Sequence, residues 1–282
     1  MNKTVGLIFF SLIALSACST GVKKAKELKK ELVRGEEHFS YTDKNGQYLV
    51  RLTAGFNKKE NTFFSKRSLE SSGEEGNKIL EQSVVLSDLG SIKKKKNILR
   101  PKLSQYNVWF DGKKYFSELK MNPIKKTIDV KMVSPESQWN GVKQVKLPST
   151  KVLYCFFSQV IECAKTIGFL SEAINKETGT MNFYIIWEGY PYMNETFTDF
   201  PSQLISKAQL EYDGKTKENE RRFNLKVAGQ SIFFVLDTHQ QMKKMFWVSQ
   251  GISMVSMLVK KSSDNPKENS GEDLKEAGGS IE

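Results

Sequence analysis

Histidine and cysteine, the residues that most often bind transition metals, are scarce in this sequence. There are 2 histidines and 3 cysteines in 282 residues. His38 and His239 lie near opposite ends of the chain, and neither His-x-x-x-His nor Cys-x-x-Cys occurs. Because zinc and similar ions usually need ligands at such spacings, the sequence predicts no metal centre. It predicts no cofactor either.

Catalytic motifs are also absent. The fragment Gly251-Ile252-Ser253 lacks the second glycine of a serine-hydrolase nucleophile turn, and there is no glycine-rich phosphate-binding loop. Glu188 and Glu195 flank an aromatic segment, but glycoside cleavage needs two carboxylates roughly 5–10 Å apart, and no spacing fixes such a pair. Nothing places Cys155 beside a histidine. The sequence therefore favours a protein that is not an enzyme, and a hydrolase is the least favoured function.

The apolar runs are too short to cross a bilayer. The longest, Val5 to Leu15, has about eleven residues, whereas a spanning helix needs roughly twenty. Its length and the preceding Lys3 are typical of a secretory signal peptide. The run leads into Leu15-Ser16-Ala17-Cys18. This segment resembles the lipobox of bacterial lipoproteins; the alternative is an ordinary secreted protein with a cysteine near its cleavage site.

The resemblance implies that residues 1–17 are removed and that Cys18 becomes the acylated N-terminus. Two or three acyl chains hold a protein stably at a membrane, because each buried CH₂ contributes about 0.8 kcal/mol. In the commonest Gram-negative sorting rule, Ser19 in place of aspartate implies the outer membrane. We therefore expect a lipid-anchored protein of the bacterial cell envelope, on either side of the membrane.

The chain is basic, with 43 Lys and Arg against 32 Asp and Glu and a formal net charge of +11. Export removes nucleic acid as the default partner and favours anionic lipid, lipopolysaccharide or an envelope protein. The densest positive cluster, which we predict to lie on a hydrated loop, is a candidate contact for such a surface. It comprises Lys93, Lys94, Lys95, Lys96, Arg100 and Lys102. A solvated loop without a partner is the alternative.

Two terminal segments differ in composition from the rest. Residues 18–38 interleave lysines with apolar residues at three- and four-residue steps, which predicts a basic amphipathic helix that either lies on the bilayer or acts as a spacer. Residues 262–282 are polar, acidic in balance and without apolar periodicity, so we predict a disordered tail. The folded body then covers residues 39–261.

Within the body, apolar residues recur mainly at every second position, which is the period of a β-strand. Residues 39–56 predict a hairpin around Asn45-Gly46. Segments 183–187 and 232–236 are apolar at successive positions and predict central strands. Residues 57–77 predict a loop or an irregular hairpin. Similar strand-to-turn segments, ending in Asp-Gly at 111–112 and 213–214, leave two β-halves open as an alternative to one extended domain.

Residues 149–173 carry the strongest helical pattern. Ser149 is a suitable N-cap, and the apolar positions from 153 to 167 follow three- and four-residue steps. On one helix, Cys155 and Cys163 would be roughly 12 Å apart, beyond the roughly 7 Å between Cα atoms that a disulfide permits. The helix and the disulfide exclude each other, and the long apolar pattern favours the helix with two unpaired thiols.

The prediction is therefore an α+β fold, with a curved, mainly antiparallel β-sheet and one principal α-helix packed on a face. The favoured function is binding of an anionic envelope component or partner protein. The alternative is a carrier of an acyl chain or another apolar ligand in a cleft between sheet and helix. In architecture alone, this resembles the half-barrel lipoprotein carriers of the outer membrane. The predicted cleft residues are Phe183, Trp187, Phe233 and Trp247.

Overall fold

The computed structural model describes residues 36–73, 76–92, 95–149, 152–197, 200 and 202–257, with the backbone alone at 91, 92, 95–97, 194 and 196. The predicted signal peptide, the lipidation site Cys18, residues 18–35 of the predicted tether and the predicted tail 262–282 lie outside the described residues.

Most of the described chain forms one β-sheet of 15 strands. The strands are β1 (Glu37–Asp43), β2 (Tyr48–Asn57), β3 (Thr62–Ser71), β4 (Lys78–Ile92), β5 (Lys95–Phe110), β6 (Lys113–Asn122), β7 (Thr127–Val133), β8 (Gly141–Lys146), β9 (Tyr154–Phe156), β10 (Thr180–Ile186), β11 (Ile205–Lys215), β12 (Arg221–Val227), β13 (Gln230–Leu236), β14 (Met242–Trp247) and β15 (Ile252–Ser256). Three helices accompany them: α1 (Val160–Thr166), α2 (Phe169–Lys176) and α3 (Met193–Thr196). Single 3₁₀ turns lie at Ser137–Trp139, Phe157–Gln159 and Val248–Gln250.

The strand order divides the sheet into two arms that meet at its centre. Strands β8 to β1 follow one another on one side, and β15 to β9 follow on the other, so that β1 pairs with β15. We call β1–β8 the N-terminal arm and β9–β15 the C-terminal arm. All pairings are antiparallel except that of β9 with β10. The prediction of a curved, mainly antiparallel sheet is confirmed.

Local chemistry explains where the strands begin and turn. At the predicted first hairpin, Gly46 adopts φ +70°, a conformation that glycine reaches without steric cost. The Asp43 carboxylate accepts hydrogen bonds from the backbone N–H groups of Asn45 and Tyr48, at 3.2 and 2.8 Å. These bonds hold the turn between β1 and β2, and they confirm the predicted hairpin.

The prediction of a loop or irregular hairpin over residues 57–77 is wrong for its central part. Residues 62–71 form the regular strand β3, which pairs with β2 and β4 along its length. Along this strand Phe63, Ser65 and Arg67 follow at alternate positions, and Ser65 is buried although polar. A period-two pattern with polar residues on its inner face gives no hydrophobic alternation, so the strand was not recognisable from the sequence.

The single helix predicted over residues 149–173 is also wrong. Tyr154–Phe156 forms a strand that extends the sheet, with Tyr184 opposite Tyr154. A 3₁₀ turn then leads into α1, and α2 follows after a break at Gly168, whose φ is +80°. The apolar residues of a strand, a turn and a short helix thus fell by coincidence on helical spacing. Two short helices replace the principal helix.

This break in secondary structure brings the two cysteines together. Cys155 lies in β9 and Cys163 in α1, and their Cα atoms are 6.3 Å apart across a sequence separation of 8. They form a disulfide, contrary to the prediction of unpaired thiols. The distance is short because the chain reverses direction where the strand ends, whereas a continuous helix would have carried Cys163 away.

The curvature of the sheet brings its two arms face to face. Residues from β9, β10 and the start of β11 pack against the inner face of the N-terminal arm, in a cluster that includes Val85, Leu119, Ile128, Val130, Phe156, Ile186 and Ile205. Helices α1 and α2 pack on the inner face of the C-terminal arm, in a cluster that includes Ala164, Leu170, Phe183, Leu210, Phe223 and Leu225. Helix α1 is largely buried, whereas α2 buries Leu170 and Ala173 and exposes its other face to solvent.

Candidate functional site

A cavity of about 190 Å³ lies where the two arms join, between the inner face of the sheet and the beginning of α1. Strands β1 to β3 and β13 to β15 contribute to its wall, together with residues 157–165. Its apolar wall includes Phe39, Leu52, Val160, Met242, Met245 and Met254.

Strand register explains why these side chains share one wall. Phe39 in β1 lies directly opposite Leu52 in β2, and Met245 in β14 lies opposite Met254 in β15. Side chains at paired positions point to the same face of a sheet. Phe39, Leu52 and Met245 are only half-buried, so their apolar surface faces the cavity instead of a packed neighbour.

The rim of the cavity carries carboxylates. Glu37 at the start of β1 and Glu162 on α1 both line it. Burial raises the pKa of the Glu162 carboxyl, and the nearby charge of Glu37 raises it further. The pKa of the Tyr41 hydroxyl is raised by burial and then by Glu162, Asp237 and Glu37. Lys165 also lines the cavity, and its charge lowers the pKa of Glu162, so the rim carries charges of both signs.

A second set of polar groups lies at what we call the polar end of the cavity. Arg67 and Ser158 line it there. The Arg67 Nη2 atom is 2.8 Å from Glu81 Oε2, with exposed side-chain fractions of 29% and 5%. The backbone N–H of Ser158 donates to Glu188 Oε1 at 2.7 Å. Burial raises the pKa of Glu188, while Ser158 and Arg67 act in the opposite direction.

Two buried hydroxyls near the polar end lie beside carboxylates. The Tyr106 hydroxyl is next to Glu81, and burial, followed by the charge of Glu81, raises the pKa of Tyr106. The Ser158 hydroxyl is next to Glu188 and opposes the rise that burial causes in the pKa of that carboxyl. Because buried polar atoms are nearly always hydrogen-bonded, these hydroxyls and carboxylates satisfy one another within the protein.

The four predicted cleft residues do not line this cavity. Phe183, Trp187 and Trp247 are buried in the core, one layer behind Phe157, whose ring centroid lies 5.0 Å from that of Trp187. Phe233 lies on the opposite face of β13 from the cavity-lining Phe234, under the guanidinium of Arg222. A strand that is apolar on both faces does not reveal which face borders a cavity.

Of the residues at the polar end, Glu188 was singled out from the sequence, but Arg67 and Ser158 were not. Arg67 lay in a segment predicted as a loop, and Ser158 in the predicted helix. The available signal was the alternation Phe63-Ser65-Arg67, which places Arg67 on the same face as Leu52 once β2 and β3 pair. Met242 and Met245 also lacked a signal, because β14 has lysines between them.

The predicted basic cluster is only partly described. Lys93 and Lys94 lie outside the described residues, and the backbone of Lys95 and Lys96 belongs to β5 instead of a loop. Lys102 pairs with Asp88 at 3.2 Å, with about half of each side chain exposed. Arg100 lies across Gly90 and also has an interaction partner. The two described cations at the C-terminal side of the cluster are therefore already engaged.

Three further observations on the described part of the chain concern other kinds of site. It contains no group of three or more His, Cys, Asp or Glu residues that could hold a metal ion. No helix within it is long and apolar enough to cross a membrane. Glu188 is buried, whereas Glu195 is exposed, so the two carboxylates that flank the aromatic segment have different environments.

Comparison with known proteins does not show a family for this chain. No protein-family model matches the sequence, and no curated protein matches it. One solved structure to which the chain is similar is the crystal structure of a β-barrel-like protein of a domain of unknown function, DUF1849, from Brucella abortus. The match has 12% sequence identity and a TM-score of 0.41, and it covers 79% of this chain and 96% of that chain.

Proposed function

We propose that this protein is a lipid-anchored envelope protein that binds the chain of an apolar ligand, such as an acyl chain, in the cavity between sheet and α1. The observation that carries the proposal is the wall of half-buried apolar side chains around about 190 Å³ of space. An engineered apolar cavity of about 150 Å³ is known to bind benzene. The volume here therefore suits part of one chain.

The methionines support a ligand that varies in shape. Met242, Met245 and Met254 all line the cavity. Methionine is unbranched and polarisable, so it adapts to irregular apolar partners better than branched side chains do. Because typical pockets for drug-sized ligands are about 300–1,000 Å³, the rest of a long chain would extend past the rim at Glu37.

Two features support the envelope part of the proposal. The Leu15-Ser16-Ala17-Cys18 segment resembles a lipobox, and the Cys155–Cys163 disulfide suits an oxidising compartment outside the cytoplasm. Residues 18–36 would join the acylated cysteine to the rim of the cavity at Glu37. Contact of the basic cluster with an anionic surface stays a prediction, because the pairing of Lys102 with Asp88 does not favour it.

Binding of an uncharged fluorescent probe tests the proposal. N-phenyl-1-naphthylamine should bind the purified protein with increased fluorescence, and 1-dodecanol should displace it. Met245→Lys places an ammonium group in the apolar wall, so we expect probe affinity to fall by at least about tenfold, since an unpaired charge in an apolar site is strongly unfavourable.

Met257→Lys is the matched control, because Met257 is exposed and does not line the cavity. It should bind the probe as the parent protein does. Thermal unfolding of both variants confirms that they fold. If Met245→Lys binds the probe with parental affinity, the cavity is not the binding site.

A further inference from the structure

Lysine-rich turns lie together at one end of the N-terminal arm. The antiparallel order of β2 to β8 places the turn after β2, the turn after β6 and the last residue of β8 at the same end of these strands. The first turn contains Lys58 and Lys59, the second contains Lys125 and Lys126, and β8 ends with Lys146. All five lysines are exposed. We call this set the lysine end.

The ammonium groups of the lysine end face solvent. No described residue forms an ion pair with any of the five lysines. Asparagine side chains hold the two turns through the main chain. The Asn57 Oδ1 atom accepts from the backbone N–H of Lys59 at 3.1 Å, and Asn122 Oδ1 accepts from that of Lys125 at 3.0 Å. The turns are thus fixed without using the lysine charges.

The turns at the opposite end of this arm have a different charge. Asp43, Asp111 and Glu136 lie at or just after the ends of β1, β5 and β7. The Asp43 carboxylate holds its own turn, and Glu136 pairs with Lys113 at 3.5 Å. By contrast, Glu60 is the single carboxylate in the two turns of the lysine end. Positive charge is therefore concentrated at one end of the arm.

Two further features point from the lysine end to a membrane. The chain enters the sheet there, because β1 begins with Glu37 opposite Ala54, near the end of β2 that leads to Lys58. Residues 18–35 would join the acylated Cys18 to this end. Ile124 is 91% exposed beside the lysines of the second turn. An exposed apolar side chain among lysines suits the boundary between lipid head groups and acyl chains.

We propose that the lysine end docks on the anionic phospholipid surface of the membrane that holds Cys18, with its lysines against phosphates and Ile124 among the head groups. The inference uses the lipid anchor of the proposed function, and it does not depend on ligand binding in the cavity. Arg100 and Lys102 of the predicted basic cluster take no part. The cavity rim at Glu37 lies at the same end, so docking turns the rim towards the bilayer.

Vesicle binding tests this docking without the acyl chains. The probe protein is residues 18–282 with Cys18→Ser, the expected mature chain without its acylation site. It should sediment with vesicles of equal parts phosphatidylglycerol and phosphatidylcholine, and not with phosphatidylcholine alone. Salt at about 0.5 M should release most of it, because salt screens contacts between exposed charges. Absence of binding to the anionic vesicles at low salt would overturn the proposal.

Two variants of equal net charge locate the contact. Neutralising four lysines of the lysine end should weaken binding to the anionic vesicles by at least about tenfold, because each lysine near an anionic surface adds to the attraction. The substitutions are Lys58→Gln, Lys59→Gln, Lys125→Gln and Lys126→Gln. The control neutralises four exposed lysines at the opposite end and should bind within about twofold of the parent. Its substitutions are Lys44→Gln, Lys78→Gln, Lys113→Gln and Lys114→Gln.

Both variants keep the basic residues of segment 18–35, so a difference between them reports the sheet alone. Thermal unfolding confirms that they fold. Equal losses of affinity would show that net charge drives binding, and would overturn the proposal. Ile124→Ser should weaken vesicle binding severalfold, because it removes apolar contact with the lipid. Parental affinity in Ile124→Ser would point to a soluble polyanion in place of a bilayer, and would also overturn it.

Failure of docking is distinguishable from failure of the proposed function. Binding of N-phenyl-1-naphthylamine reports the cavity and needs no vesicles. Probe binding without vesicle binding leaves the cavity proposal standing and overturns the docking of the lysine end. Vesicle binding that depends on the lysine end supports docking even if the probe does not bind.

Discussion

The two arms of the sheet have different inner faces. The C-terminal arm buries large apolar side chains against the helices, including Phe183, Ile185, Leu210, Phe223, Leu225 and Ile232. The N-terminal arm also buries apolar residues such as Val85, Leu119 and Ile128, but it adds many small or polar ones, including Thr62, Ser65, Glu81, Ser83, Ser87, Ser104, Ser117 and Thr127. The first arm is packed as a hydrophobic core, whereas the second offers hydrogen-bonding groups. The cavity lies where the two kinds of surface meet.

The segment leading into α1 is attached to both arms. Gln159 accepts a hydrogen bond from Ser87 Oγ at 2.5 Å, and its amide nitrogen donates to Ser65 Oγ at 3.3 Å. The disulfide ties Cys163 of α1 to β9 of the C-terminal arm. Polar bonds thus hold one side of this segment and a covalent bond holds the other. The walls of the cavity are fixed by these attachments.

The largest expected loss of stability comes from a substitution in the core of the C-terminal arm. Leu210 is fully buried, and Leu210→Ala should lower the free energy of unfolding by about 3 kcal/mol through lost burial and cavity formation. Urea denaturation measures it. Leu49→Ala, at a half-buried position in β2, is the comparison and should cost clearly less. Equal losses would mean that the arms do not differ as their burial indicates.

Breaking the covalent attachment should have the next largest effect. The disulfide closes a loop with a sequence separation of 8, for which the chain-entropy estimate is about 2.5 kcal/mol. Reduction of the parent protein should lower the urea midpoint accordingly. The double variant Cys155→Ala, Cys163→Ala should start at the lower midpoint and be insensitive to reductant. An unchanged midpoint after complete reduction would contradict this expectation.

The pH dependence of stability tests the environment of the buried Glu188 carboxyl. Its pKa in the folded protein is raised above the ordinary 4.5 by burial, so the folded state holds this proton more tightly than the unfolded chain does. The stabilising contribution of the protonated carboxyl is present below pH 4.5 and is lost as the pH rises through the folded pKa. Glu188→Gln stays neutral throughout and avoids this loss.

The stability of Glu188→Gln minus that of the parent should therefore grow as the pH rises above 4.5, and then become constant. Urea denaturation at several pH values gives this difference. Glu195→Gln, at an exposed position, should run parallel to the parent protein. A difference for Glu188→Gln that shrinks with rising pH would show that the carboxylate is stabilised in the fold.

The smallest effect on stability is expected for buried serines of the N-terminal arm. The buried Oγ of Ser104 has no hydrogen-bond partner among the described residues, so Ser104→Ala should leave the unfolding free energy unchanged or raise it by up to about 1 kcal/mol. Ser87→Ala is the matched case and should cost about 1 kcal/mol, because Ser87 donates to Gln159. A loss of stability in Ser104→Ala that equals the loss in Ser87→Ala would show that the Ser104 hydroxyl is bonded.

This contrast also explains which parts of the fold the sequence reveals. Regular alternation and the Asn45-Gly46 turn correctly predict an antiparallel sheet. Alternate positions of a strand point to opposite faces, so an apolar residue at every second position indicates which face is buried. β3 was missed where Ser65 and Arg67 occupy inner positions. The helix prediction failed at residues 154–159, which form a strand and a 3₁₀ turn, because apolar spacing alone does not show where a strand changes to a helix. Its error also excluded the Cys155–Cys163 bond.

The candidate site was less predictable than the fold for a related reason. The apolar positions Phe39 and Leu52 were recognised as strand residues, but a cavity depends on what lies opposite them. Arg67 and Glu81 lie on the neighbouring strands β3 and β4, but Ser158 comes from a distant segment and reaches the same cavity only in the complete fold. A contact between distant segments leaves no local pattern in the sequence. The cleft was therefore predicted at the most apolar strands instead.

The pairing of β1 with β15 sets the order in which this molecule can be completed. Tyr41 lies opposite Ser256, so the seam at the middle of the sheet joins the earliest described strand to the last. Such distant partners raise the contact order and delay folding. Each arm can form its own hairpins first, but the seam waits for Ile252–Ser256, the last described strand. Until then β1 has an open edge, and any binding pocket made from both arms does not yet exist.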